Sequence, residues 1–251
     1  MSADPVSFRS LTPGELAAYH GEGYVLLKGL LSPKSAQTIY ADVMHIMNTI
    51  GLGTTALKQT SEYLPETALD RFVNSEGLQQ YASALMNGDA KLYLPFTAVK
   101  SPSGGGAFHY HQDNQYTRFN GPGINLWAAL VPMSEENGCL YFVPHSHYLG
   151  TLPSVKDAAG KVHESGIEPL HAVPLPMEPG DVVAFSRLTV HGSGRNTTTA
   201  PRTAYAVQYA RADISYTRDH GNTWQTVAEA GPGWRTGPVD ALTVPESRDG
   251  H

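Results

Sequence analysis

The chain has 251 residues, 41% apolar and 16% charged, which excludes a disordered chain and is enough for one sizeable domain with a full core. The formal net charge is −6 with no basic run, which argues against nucleic acid or an anionic membrane surface as a partner. No apolar stretch approaches membrane-spanning length, the N-terminus lacks a signal-peptide core, and the lone cysteine, Cys139, rules out an internal disulfide; a reducing, cytoplasmic setting is expected.

In chain order, residues 1–90 read as a helical lead-in. Thr12-Pro13-Gly14-Glu15 joins a cap residue, a proline at the first helical position and an acid in the first turn, and predicts a helix through Tyr19. Gly23 to Lys28 reads as a strand. Ser32-Pro33-Lys34 restarts a helix with an apolar stripe of Ile39, Val43, Ile46, Met47 and Ile50. Residues 51–75 carry no clear period, although Ala56 to Gln59 fits a short strand. Ser75-Glu76-Gly77 opens a further helix that stops near Asn87-Gly88.

From about 91 to 211 the pattern is one of strands. Lys91 to Lys100 is interrupted by Pro95, which predicts an edge position or a bulge. A glycine-rich turn at 101–106 leads into the strand around His111. Ile124 to Pro132 and Cys139 to Val143 are strands, with Glu135-Glu136-Asn137-Gly138 as the tight turn between them, read as a hairpin. Leu170 to Leu175, Asp181 to Phe185 and Arg202 to Arg211 complete the set, and residues 212–251 form a polar tail. With 25 glycines and 18 prolines, helices first and many short strands afterwards, the chain fits one α+β domain with a sandwich or barrel core.

The chemistry centres on Phe108-His109-Tyr110-His111-Gln112-Asp113. In an extended strand, residues i and i+2 share a face, so His111 and Asp113 could meet one ion. A second histidine would complete two imidazoles and one carboxylate, the set that suits non-haem Fe(II) and leaves three coordination positions open. His191 follows a buried-type strand at a turn, 78 positions after Asp113, a distance that a barrel or jelly roll can close. His109 competes with His111, but His111 alone has an aspartate at +2. On the last strand Arg202, Ala204, Ala206, Gln208 and Ala210 share one face. Small side chains there leave a lumen, and a single guanidinium points into it, suited to a carboxylate.

Taken together, Gly23 to Leu27, Lys100-Ser101-Pro102, His111-Gln112-Asp113, Trp127 to Leu130, Glu136 to Leu140, Pro144 to His147, Gly180-Asp181, His191 to Asn196 and Arg202 resemble the phytanoyl-CoA dioxygenase family of Fe(II)/2-oxoglutarate oxygenases. The resemblance implies a double-stranded β-helix, or jelly-roll, core. It implies His111, Asp113 and His191 as iron ligands. It further implies Arg202 on the distal carboxylate of 2-oxoglutarate with Ser193 beside it, and Trp127, Gln112 and Phe96 lining that pocket. Lys58 resembles a lysine near the same site, and Ala98 stands where some relatives carry a polar contact. The implied reaction uses O₂ and 2-oxoglutarate, releases succinate and CO₂, and hydroxylates an unactivated C–H bond of a small metabolite or secondary-metabolite intermediate. Desaturation, cyclisation or epimerisation would use the same ligands, and a non-catalytic metal-binding jelly roll is the rival of another class. Related halogenases need a small residue at the aspartate position, so Asp113 argues against halogenation.

Other candidates read as structural. His145 and His147 suit turn hydrogen bonds, Asn196 a brace behind His191, Cys139 a buried hydrophobe, and His20, His163, His171 and His220 the surface.

Overall fold

The structure, a computed structural model, describes residues 4–51, 57–58, 64–153, 171–218 and 221–228. Its elements run α1 (Pro13–Glu22), β1 (Tyr24–Leu27), α2 (Pro33–Ile50), β2 (Leu57–Lys58), α3 (Ala68–Val73), α4 (Glu76–Met86), β3 (Ala90–Lys100) and β4 (Phe108–His111). They continue with β5 (Arg118–Phe119), β6 (Gly123–Ala129), β7 (Leu140–Phe142), β8 (Val173–Leu175), β9 (Val182–Ser186), β10 (His191–Ser193), β11 (Arg202–Arg211), β12 (Ser215–Thr217) and β13 (Gln225–Thr226).

Local chemistry accounts for the helix starts. Thr12 and Glu15 form a reciprocal capping box, with Glu15 N–H donating to Thr12 Oγ1 at 3.1 Å and Thr12 N–H donating to Glu15 Oε2 at 2.8 Å. Ser32, Thr67 and Ser75 cap α2, α3 and α4 through their hydroxyls. The short helix α3 lies in the stretch that showed no period in the sequence. The described residues contain no helix long and apolar enough to cross a membrane.

Two sheets face each other as a jelly roll. One has the order β1-β9-β6-β11-β3-β2, the other β4-β10-β7-β8, and a small third sheet joins β13, β12 and β5. Alternation sorts the residues of the large sheet cleanly. Leu126, Ala128, Val182, Ala184, Tyr205 and Val207 face the helices and share a core with Ile39, Val43, Phe72 and Leu78. Trp127, Ala129, Val183, Phe185, Ala204 and Ala206 face inward, toward Leu140 and Phe142 of the second sheet.

Two readings change. Asp113 does not continue the strand of His111: β4 ends at His111 and a 3₁₀ turn starts at Asp113. Nor does Glu135 to Gly138 join a hairpin. The turn is tight, but β6 pairs with β9 and β11 whereas β7 pairs with β10 and β8, so the chain crosses here between sheets. Gly138 permits the crossing with φ +79°, where a Cβ would sit 2.4 Å from Gly194 O. The polar tail also carries order, since β12 and β13 close on β5 and bury Tyr216 with Phe119 and Tyr93.

The Pro95 expectation has a physical reading. Among the described residues, β3 has only β2 as neighbour on the side away from β11, at Val99 and Lys100, so at Pro95 no described strand lies on that side to need an N–H. A bulge falls between the partners of Gln208 and Tyr209 on β11, two residues before the proline on β3.

Candidate metal centre

Antiparallel pairing of β4 with β10 sets His111 directly opposite His191. Their ring centroids are 4.3 Å apart. The turn after β4 brings Asp113 beneath both, with Oδ1 3.9 Å from each Nε2. One ligand atom from each of the three lies within 4.8 Å of the others, and all three residues are buried. Ligands about 2.1 Å from one metal in adjacent positions would be about 3 Å apart, so a small contraction suffices to close on an ion.

Each imidazole is oriented by the same device. His111 Nδ1 lies 2.7 Å from His109 O, and His191 Nδ1 lies 2.9 Å from Thr189 O. A carbonyl only accepts, so each Nδ1 carries the proton and each Nε2 offers its lone pair to the shared space. Phe108 edges the His111 ring at 4.6 Å, and Phe185 lies 4.6 Å from the His191 ring. His109 is exposed and lies outside the trio.

The second Asp113 oxygen, Oδ2, accepts from Gln208 Nε2 at 3.1 Å and Asn125 Nδ2 at 3.4 Å. Burial works to raise the carboxyl, but His191, Arg187, His111 and the Asn125 hydrogen bond outweigh it and hold it below the usual carboxylate range. The group is therefore ready as an anion. Arg187 and Asn125 were not anticipated from the sequence. Their signal was available, because an asparagine inside an apolar strand run and an arginine just past the end of one are rarely buried without a task.

The inner face of β11 then runs from Gln208 past Ala206 and Ala204 to Arg202. Ala204 pairs with Ala98 on one side and Ala129 on the other, while Ala206 lies between Phe96 and Trp127. A row of three alanines keeps large side chains off this face between Gln208 and Arg202. Arg202 is 2% exposed, and its Nε and Nη1 have no hydrogen-bond partner among the described residues. Its guanidinium carbon lies 5.2 Å from the centre of the Trp127 ring. Burial pushes its pKa down to about 9. An unpaired buried guanidinium of this kind is costly unless an anion meets it.

The other expected pocket residues fare differently. Trp127 supports Arg202 within the inner core, Ser193 is buried on the same face of β10 as His191, and Phe96 is half-buried against the inner core. Gln112 departs from expectation. Its Nε2 donates to Gly150 O and Leu188 O, and its Oε1 accepts from Leu152 N–H at 2.8 Å, so the amide is spent on holding a loop. The side chain of Lys58 lies outside the described residues, as do His163 and His220. Asn196 braces its turn, donating to Ser101 O and Ala200 O. His145 and His147 meet the backbone oxygens of Gly21 and His20.

Comparison with known proteins settles the family. The family described as phytanoyl-CoA dioxygenase matches residues 10–204. The chain belongs to the phytanoyl-CoA dioxygenase family. A methylphosphonate hydroxylase of Gimesia maris is 28% identical over 80% of this chain and 81% of its own length. The peroxisomal phytanoyl-CoA dioxygenase of Rattus norvegicus is 26% identical over 84% of this chain and 71% of its own length. Among solved structures, the epimerase SnoN, in complex with Fe³⁺, α-ketoglutarate and nogalamycin RO, superposes with a TM-score of 0.70 at 22% identity, covering 83% of this chain and 86% of SnoN. EvdO2 of Micromonospora carbonacea var. aurantiaca, complexed with 2-oxoglutarate, gives 0.68 at 20% identity over 90% of this chain and 97% of its own. The jelly-roll core is thus that of the family, and the chain is a 2-oxoglutarate-dependent dioxygenase that uses Fe(II).

Proposed function

We propose that this enzyme hydroxylates an unactivated C–H bond of a small organic metabolite, with His111, Asp113 and His191 as the iron ligands and Arg202 as the anchor of 2-oxoglutarate. The observation that carries the reading is the Arg202 guanidinium. It is buried, lacks partners for Nε and Nη1 among the described residues, and lies on the same inner face of β11 as Gln208, which holds Asp113 of the trio, with only Ala204 and Ala206 between them on that face. A dicarboxylate has the charge to satisfy the guanidinium at one end and metal-chelating oxygens at the other.

The donor set fits iron in this role. Two neutral imidazoles and one carboxylate would hold iron with three ligands and leave room for the oxo acid and O₂. When bound, iron supplies O₂ activation coupled to decarboxylation of the oxo acid, and the redox capacity to break a C–H bond. The protein does the rest. Arg202 receives the distal carboxylate in a two-pronged geometry, and the Trp127 ring holds the guanidinium in place. Ser193 offers a hydroxyl from the same side as His191. Phe185, Phe142 and Phe108 exclude water from the imidazoles, so the substrate meets a dry site.

Hydroxylation is favoured over epimerisation or cyclisation because the sequence relative spanning 81% of its own length is a hydroxylase, whereas the epimerase SnoN shares the fold. The test is conversion of 2-oxoglutarate to succinate by protein loaded anaerobically with Fe(II) and then exposed to O₂, with and without candidate metabolites. Substrate-stimulated succinate with an oxygen atom added to the substrate is the expected result. Failure to bind or turn over 2-oxoglutarate overturns the reading.

A further inference from the structure

Asp113 has two oxygens, and the protein treats them differently. Oδ1 faces both imidazole Nε2 atoms at 3.9 Å, while Oδ2 turns away to Gln208 and Asn125. A carboxylate with one oxygen held by two amide donors presents the other oxygen alone. That matters for a three-ligand face. A carboxylate gripping the metal through both oxygens would take one of the positions that the oxo acid and O₂ require.

The hold on Oδ2 depends on which way the Gln208 amide points. Its oxygen and nitrogen ends are nearly equal in shape, and reversing them would set an oxygen against the Asp113 carboxylate. Arg187 removes the ambiguity. A guanidinium has donors only, and its Nη1 lies 2.7 Å from Gln208 Oε1, so the NH₂ end of Gln208 is left facing Asp113. Arg187 is itself fixed. Its Nη2 donates to Asp113 O at 2.9 Å and Thr117 O at 3.0 Å, and its guanidinium carbon lies 4.1 Å from the Phe119 ring centre. The residue is 3% exposed and makes no ion pair among the described residues. It also ties the 3₁₀ turn of Asp113 to β9, since Asn114 N–H donates to Arg187 O at 3.1 Å.

We propose that Arg187 is a positioning residue that, through Gln208, holds Asp113 as a one-oxygen metal ligand. The proposal rests on the reading of His111, Asp113 and His191 as the metal centre. Arg187 donates no hydrogen bond to either Asp113 side-chain oxygen; it acts by orienting one amide, by pinning one turn and by its charge beside the carboxylate.

The experiment uses Co(II) as the metal probe on the full chain, read by binding isotherm and by visible absorption, which reports coordination number. Arg187→Met, Gln208→Met and the double variant are compared with wild type, with thermal unfolding run on each. The expected loss is about tenfold or more in Co(II) affinity for either single variant, with the same change in absorption. The double variant is expected to lose less than the two single losses combined, because the part of the Arg187 effect that runs through Gln208 is shared. A merely structural role gives losses that add and an unchanged spectrum in whatever metal still binds, and that outcome overturns the proposal. Should Arg187→Met fail to fold, Arg187→Lys and Gln208→Met decide: Lys retains the donor and restores most of the affinity, and Gln208→Met alone shows the spectral change. Wild-type affinity and spectrum in Gln208→Met overturn the proposal while leaving the metal centre intact. A wild type that takes up no Co(II) overturns the metal-centre reading, and the proposal with it.

Discussion

Lys100 and Arg202 are register partners on β3 and β11, two basic side chains side by side with neither exposed by more than 2%. Arg202 keeps its charge. Lys100 relieves the repulsion in another way: burial, with Arg202 beside it, pushes its pKa down to about 6. Its Nζ donates to Gly106 O and Gly194 O, and a neutral amine still has two N–H bonds for those two carbonyls.

A pH dependence follows from this pair. The unfolded chain holds the Lys100 proton up to about 10.5, whereas the folded chain releases it near about 6. Between those values the unfolded state binds more protons, so stability rises with pH through that window. In Lys100→Met this part of the slope disappears. Urea unfolding of both proteins at pH about 6.5 and about 9 checks it, with wild type gaining on the variant at the higher pH.

Arg202→Ala separates the two halves of the centre. The requirement for 2-oxoglutarate is expected to rise roughly hundredfold, about 3 kcal/mol, with metal affinity near wild type. Isothermal titration of metal and of 2-oxoglutarate in turn reads both, and equal losses would contradict the assignment.

The two neighbouring histidines of β4 make a sharper contrast. His111 points its Nε2 at Asp113, and His109 is exposed. His111→Ala is expected to abolish tight Fe(II) or Mn(II) binding and succinate formation. His109→Ala is expected to retain metal binding, since its contribution to the trio is a backbone carbonyl, which the substitution leaves in place.

Gly138→Ala tests the crossing between sheets. With φ +79° and a backbone oxygen 2.4 Å from the added Cβ, neither the local conformation nor the neighbour has slack. A loss of about 1–3 kcal/mol is expected in chemical denaturation. The loop after β10 that must move is the one Lys100 holds, so 2-oxoglutarate binding should weaken as well.

Much of the frame was legible because it is local. The Thr12–Glu15 cap, the stripe of α2 and the ten-residue strand Arg202–Arg211 each follow from spacing and end signals within a few residues. The His111–Asp113 pair was legible as residues, but not its geometry: a strand was expected where a strand ends and a turn begins. Pairing between distant strands was harder. Nothing near Glu135 to Gly138 tells a hairpin from a crossing, because the partners that decide it, β9 and β10, come about fifty residues later. The Gln112 amide was misplaced for a similar reason, since the backbone it serves at Gly150, Leu152 and Leu188 is remote in sequence.

The alanine row has a consequence for engineering. Ala98, Ala204 and Ala129 make a floor that is nearly bare main chain. Gln208 and Arg202 are six positions apart on β11, about 20 Å of strand at about 3.3 Å per step. The span open to a bound diacid is set by how far the Arg202 and Asp113 side chains reach over that floor, and the floor itself adds nothing to it. Substitution along the floor can shorten the usable span, as Ala204→Leu would, but cannot lengthen it. A variant meant to accept a longer oxo acid must therefore move the cation itself to another residue of β11, and the inner face offers such a place only in steps of two.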